Sequence, residues 1–143
     1  MTNLADFENE LILIAEKKNE LSRLTYNDQM YDEVEEALHD LEDDFNEKYE
    51  SFLEEALYEI HDEYCPDNDV LLPTAYVANQ YGISNGDGKT TYTVAHNEGV
   101  IVDADDYSDV LVRLVLVPGP ARLVLQIGKK EQKEVWRAKD NAS

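Results

Sequence analysis

From Tyr31 to Cys65 the chain contains neither glycine nor proline, and Tyr31, Val34, Leu38, Leu41, Phe45, Tyr49, Phe52, Ala56 and Ile60 recur three or four residues apart. A period near 3.6 places these side chains on one stripe of a helix, and nothing breaks the run before Pro66. The spacing predicts a helix of about 36 residues, ~54 Å long at 1.5 Å per residue. Such a helix owes its stability mainly to burying its stripe. The rest of the chain must therefore supply a surface for it.

Upstream, Leu4, Phe7, Leu11, Ile14, Leu21 and Leu24 form a second stripe, with Lys18 in the remaining slot. It predicts a helix of about 20 residues, ~30 Å long. Arg23-Leu24-Thr25-Tyr26-Asn27-Asp28 interrupts the pattern, and Thr25 or Asn27 is placed to cap the long helix. A short connection makes the pair an antiparallel helical hairpin. Roughly the last 15 residues of the long helix then overhang the shorter one. There Leu53, Leu57 and Tyr64 widen the apolar face, so the overhang must meet either the second half of the chain or another subunit.

Beyond Pro66 the period drops to two. Tyr76 to Ile83 and Lys89 to His96 flank Asn85-Gly86-Asp87-Gly88, a hairpin signal. Val100 to Asp103, Val110 to Val117, Ala121 to Ile127 and Lys133 to Ala138 follow as further strands. Val110 to Val117 is apolar on both faces except at Arg113, which places it at the sheet centre. Segment 74–82 also reads as a two-turn helix ending at Gly82. The fold class expected is α+β: an N-terminal antiparallel helical hairpin over residues 1–66, then a five- or six-stranded antiparallel β-meander over 67–143. The two parts form one unit through the end of the long helix.

Charge follows the same division. Residues 1–69 hold 23 acids and 4 bases, residues 70–143 hold 9 acids and 8 bases, and the chain as a whole is at −20. Such a chain repels DNA, RNA and anionic membranes, which excludes basic-patch binding to any of them. No apolar run approaches the roughly 18 residues of a membrane span. With Cys65 as its one cysteine and no basic leader at Met1-Thr2-Asn3, the chain is expected in the reducing cytoplasm.

The acids concentrate on the long helix, where 16 lie between Asp28 and Glu63 against a single base, Lys48. Glu33, Glu35, Glu36, Asp40, Glu42, Asp43, Asp44 and Glu47 cover its outer face as the candidate partner-binding residues. Like charges at i,i+4, as in Asp32/Glu36, Glu36/Asp40 and Asp40/Asp44, each cost a few tenths of a kcal/mol. A helix that keeps them either uses the charge or has it neutralised elsewhere. The neutraliser is internal (Lys129, Lys130, Lys133, Arg137 and Lys139 near the C-terminal end) or it is a basic macromolecular partner. The leading expectation is therefore a non-enzymatic cytoplasmic interaction module of inhibitor, immunity or adaptor type.

Other candidates carry less chemistry. Asp103, Asp105, Asp106 and Asp109 crowd one inter-strand loop and suit a hard divalent cation such as calcium, although EF-hand spacing breaks at Tyr107. A small-ligand or metal-binding β half is thus the alternative function, and a structural homo-oligomer the third. Gly82 to Thr90 misses the phosphate-loop spacing by one residue and continues as a strand, so it reads as a hairpin turn. His39, His61 and His96 form no ligand set and read as surface or turn histidines; Glu98 lies near His96. Cys65 is ringed by acids and reads as a packing residue. No serine sits in a nucleophile motif, which leans against an enzyme, and no cofactor is expected beyond the divalent cation already named. Homodimerisation is expected, through the helices or an open sheet edge.

Overall fold

The computed structural model describes residues 4–86, 88–107 and 109–138. Helix α1 (Leu4–Ser22) leads into α2 (Tyr31–Tyr64), a 3-10 turn (Pro73–Tyr76) and two strands, β1 (Gly82–Gly86) and β2 (Lys89–Thr93). Strands β3 (Val100–Val102), β4 (Val112–Val117), β5 (Arg122–Ile127) and β6 (Glu131–Arg137) follow, with one 3-10 turn at Asp105–Tyr107 between β3 and β4.

The helices form the expected hairpin. Phe7 stacks on Phe45 and meets Tyr49 and Phe52 edge-on, while Lys18 further along α1 reaches back to Glu42. Contacts that run in opposite directions along the two chains fix the antiparallel arrangement. The cap differs from expectation. Neither Thr25 nor Asn27 caps α2: Asp28 Oδ1 accepts the Met30 N–H at 2.9 Å, and the N-cap Met30 has no side-chain bond of its own. An aspartate two residues upstream of the cap closes the turn locally and displaces the helix start to Tyr31.

The overhang of α2 is covered by the second half of the chain. Phe52, Leu53, Leu57, Ile60 and Tyr64 join the core that includes Leu114, Leu116, Leu123 and Leu125. The Phe52 ring meets Trp136 of β6 edge-on at 6.1 Å.

The strands are antiparallel but divide into two sheets, β1-β2 and β3-β4-β5-β6. The β4–β5 register pairs Leu114 with Leu125 and Leu116 with Leu123 on the face toward the helices. The opposite face carries Arg113, Val115, Val117, Arg122, Val124 and Gln126.

That second face is covered too, which is why β4 is apolar on both sides except at Arg113 and why β5 buries Val124 and Gln126 there. Segment 92–99, expected to continue as strand to His96, leaves the hairpin at Thr93 and crosses the sheet as a strap. Arg122 donates to Tyr92 O at 2.9 Å, and the buried Gln126 Nε2 donates to Ala95 O at 2.7 Å and Glu98 O at 3.0 Å. Gly99 ends the strap at φ +104°, where a Cβ would lie 2.6 Å from Leu114 O. Only glycine allows so close a passage.

Two further local expectations are corrected. Segment 74–82 is not a two-turn helix, and of its residues only Gly82 belongs to a strand: a single 3-10 turn is followed by a bend at Asn79, and Val77 bridges in parallel to Leu116. The Tyr81 hydroxyl holds this segment against β4, because it accepts the Ala78 N–H and donates to Leu116 O at 2.6 Å. The β1–β2 hairpin then pairs Gly86 with Lys89, so Asn85 and Gly86 belong to the strand rather than to the expected turn, of which Asp87 lies outside the described residues.

Candidate functional site: the acidic ridge of the long helix

On α2 the residues Glu33, Glu36, Asp40, Asp43, Glu47, Glu50 and Glu54 follow one another at alternating steps of three and four, and all seven are exposed. That alternation keeps them on one line along the helix, on the side turned away from the stripe that packs on α1. From Glu33 to Glu54 the line spans ~32 Å at 1.5 Å per residue.

The eight candidates from the sequence divide on this ridge. Glu33, Glu36, Asp40, Asp43 and Glu47 lie on it. Glu35 is half-buried beside it. Glu42, also half-buried, faces Lys18 of α1 at 4.0 Å, and Asp44 pairs with Lys48 at 3.0 Å. Glu50 and Glu54 were not among the candidates, although the step of three and four that links Glu36, Asp40 and Asp43 runs straight on to them.

None of the seven ridge carboxylates makes an ion pair among the described residues. Lys48 is drawn to the helix–helix seam, where it pairs with Glu10 and Asp44; those carboxylates raise its pKa above the usual lysine value. Glu10 also accepts a hydrogen bond from the Tyr49 hydroxyl. Burial first, and that carboxylate second, push the Tyr49 hydroxyl up to about 12.

None of the basic C-terminal residues pairs with the ridge among the described residues. Lys133 Nζ sits 5.0 Å from the centre of the Tyr64 ring, and Arg137 forms a two-pronged pair with Glu134. Lys129 and Lys130 lie in the exposed turn between β5 and β6. Lys139 lies outside the described residues.

At its far end the ridge meets apolar surface. Glu50 and Glu54 border a cleft of about 150 Å³ that is also lined by Leu57, Tyr58, Val70, Leu71, Leu72 and Pro73. Tyr58, Leu71 and Leu72 are 43–54% exposed, a large value for side chains of this kind. The wall of the cleft is fixed to α2 at two points. Asn46 exchanges two hydrogen bonds with Thr74. Below it, His61 Nδ1 donates to Asn68 O at 2.9 Å, because a carbonyl can only accept, and His61 Nε2 lies 2.9 Å from the Tyr76 hydroxyl. His61 is therefore buried and structural: of the expected surface or turn roles it has the second, since its two ring nitrogens close the turn after α2.

The remaining candidates are separated or occupied. Asp103, Asp105, Asp106 and Asp109 are all exposed, and no three metal-ligating side chains converge among the described residues. Asp103 contributes its backbone N–H to the Asn68 side chain at 2.7 Å. Glu98 accepts the N–H groups of Asn79 and Gln80, so its carboxylate is held by the chain rather than by His96. Cys65 is fully buried, and burial, with Asp105 and Asp103 nearby, pushes its thiol up to about 11. No helix among the described residues is long and apolar enough to cross a membrane. The chain matches no protein-family model, no curated protein and no solved structure.

Proposed function

We propose that this protein is an interaction module that engages a basic macromolecular partner, of the inhibitor, immunity or adaptor type, through the acidic ridge of α2. The observation that carries the reading is that seven aligned carboxylates stand exposed while none of the described cations pairs with them. Six like-charge neighbours along the ridge, from Glu33/Glu36 to Glu50/Glu54, cost on the order of 1–3 kcal/mol together. A partner's lysines and arginines relieve that repulsion, and the ridge's field accelerates the encounter.

The Tyr58–Leu71–Leu72 cleft adds what charge alone does not. An apolar side chain carried beside the partner's basic residues enters it while they pair with Glu50 and Glu54. This distinguishes a specific partner from polycations in general.

The test compares two immobilised baits in the same lysate: the wild-type chain and a ridge variant carrying Glu36→Gln, Asp40→Asn, Asp43→Asn and Glu47→Gln. A basic protein held by the wild type, released by salt and absent from the variant supports the reading. Equal retention on both baits contradicts it.

A further inference from the structure

At the end of the four-stranded sheet where β3 leaves and β4 enters, three large aliphatic side chains face solvent. Ile101 is 53% exposed, Val110 47% and Leu111 55%. They share a cleft of about 290 Å³ with Asp103, Asp105 and Tyr107. β3 is also an open edge of the sheet. The other edge, β6, is protected by alternating charges (Glu131, Lys133, Glu134, Arg137) and by a register break opposite Leu123/Val124. β3 reads Val100-Ile101-Val102 and has no such protection.

The charges around this patch are ordered. On the β3 side stand Asp103, Asp105 and Asp106. On the β5 side stand Lys129 and Lys130, in a turn held against the patch: the Gly128 N–H donates to Leu111 O at 2.8 Å, and a Cβ on Gly128 would lie 3.7 Å from Val110. Across the sheet end the sequence is acid, apolar, base. None of these five charged residues forms an ion pair among the described residues.

A surface so ordered is complementary to itself. A two-fold axis near Leu111 lays the acidic loop of each copy over the lysine turn of the other and brings the aliphatic centres together. We infer that this sheet end is an isologous homodimer interface whose occupant is a second copy of this chain. The apolar stripe of α2 is already buried against α1 and the sheet, and the exposed Tyr58–Leu71–Leu72 cleft is lined by Glu50 and Glu54 with no base, so it is not complementary to itself. The ridge of α2 stays uncovered, and a dimer carries two of them. The inference is independent of ridge binding.

Sedimentation equilibrium of the full chain across a wide concentration range tests it, with circular dichroism to check folding. The wild type is expected at twice its 16.3 kDa chain mass. Leu111→Ser and the pair Lys129→Glu, Lys130→Glu each weaken dimerisation about tenfold or more, as expected for loss of a central apolar anchor or of paired charge. The milder pair Lys129→Gln, Lys130→Gln weakens it in the same direction. The pair Asp103→Lys, Asp105→Lys is also weakened alone. Mixing the Asp-to-Lys chain with the Lys-to-Glu chain restores the dimer, because every loop then faces a turn of opposite charge. A wild type that stays monomeric overturns the inference. So does a dimer indifferent to these changes, or a mixture no tighter than its components.

Discussion

Lys48, the only base between Asp28 and Glu63, reaches the Glu10 carboxylate of α1 at 2.9 Å. The one cation on the long helix thus closes the seam between helices and leaves the acidic ridge beside it uncompensated. The stability of the fold and the proposed recognition use opposite sides of the same helix. One side carries Phe45, Tyr49 and Leu53 into the core, and the other carries seven carboxylates into solvent.

If the ridge is retained for binding, neutralising it stabilises the fold. The Glu36→Gln, Asp40→Asn, Asp43→Asn, Glu47→Gln variant removes repulsion at five neighbouring pairs and gains about 1–2 kcal/mol in urea unfolding at low salt. The gain shrinks as salt screens the wild-type repulsion. A variant less stable than wild type at low salt would show that these carboxylates are structurally paired.

The strap depends on one buried amide. Gln126 is 1% exposed, donates to Ala95 O and Glu98 O, and accepts from Gln132 Nε2 at 2.6 Å. Gln126→Leu leaves those carbonyls without their donor and costs about 2–4 kcal/mol. Hydrogen exchange should rise first in 92–99, while the α1–α2 seam keeps its protection. Uniform loss of protection would mean that strap and helices open together.

Alkaline pH reports on the core through tyrosine. Burial raises the pKa of Tyr49, Tyr76, Tyr81 and Tyr92, with Glu10 adding to the effect at Tyr49. A raised folded-state pKa means that the unfolded chain loses the proton first. The stabilisation is complete below the free value near 10 and is lost as pH climbs through the folded values, about 12 for Tyr49. Unfolding free energy is therefore expected to fall steeply above pH 10, and absorbance of tyrosinate to show a late phase that vanishes in denaturant. Tyr81→Phe reduces that phase.

Cys65 is expected to be inert. Its buried thiol, with a pKa pushed up to about 11, holds almost no thiolate at neutral pH. An aromatic disulfide reagent reacts with it slowly in buffer and at the rate of a free thiol in denaturant. Rapid native labelling would place Cys65 in a segment that opens readily.

The helices were legible because their pattern is continuous. Nothing between Tyr31 and Cys65 offers an alternative, so a 36-residue expectation met a 34-residue helix. The strands were legible as strands, but the strap was not. Residues 94–99 are too polar to read as a layer, and the signal for them lies in Gln126, a polar residue within an apolar strand whose partners sequence alone does not name. The ridge was legible in part. Glu50 and Glu54 continue its spacing, whereas the removal of Glu42 and Asp44 from it depends on Lys18 and Lys48, whose reach is set by how the helices pack. The role of His61 needs the return of the chain at Asn68 and Tyr76, a tertiary fact.

If the ridge is the binding surface, the position of the charge matters, and not only its sum. The most direct measurement is the affinity of the captured basic partner for two variants that lose the same four charges. One loses them from the ridge (Glu36→Gln, Asp40→Asn, Asp43→Asn, Glu47→Gln). The other loses them from exposed sites away from it (Glu16→Gln, Glu59→Gln, Asp67→Asn, Asp69→Asn). The ridge variant is expected to lose at least a hundredfold in affinity, on the order of 3 kcal/mol, while the other variant stays close to wild type. Equal losses in the two variants would contradict this, because the partner would then be reading net charge alone.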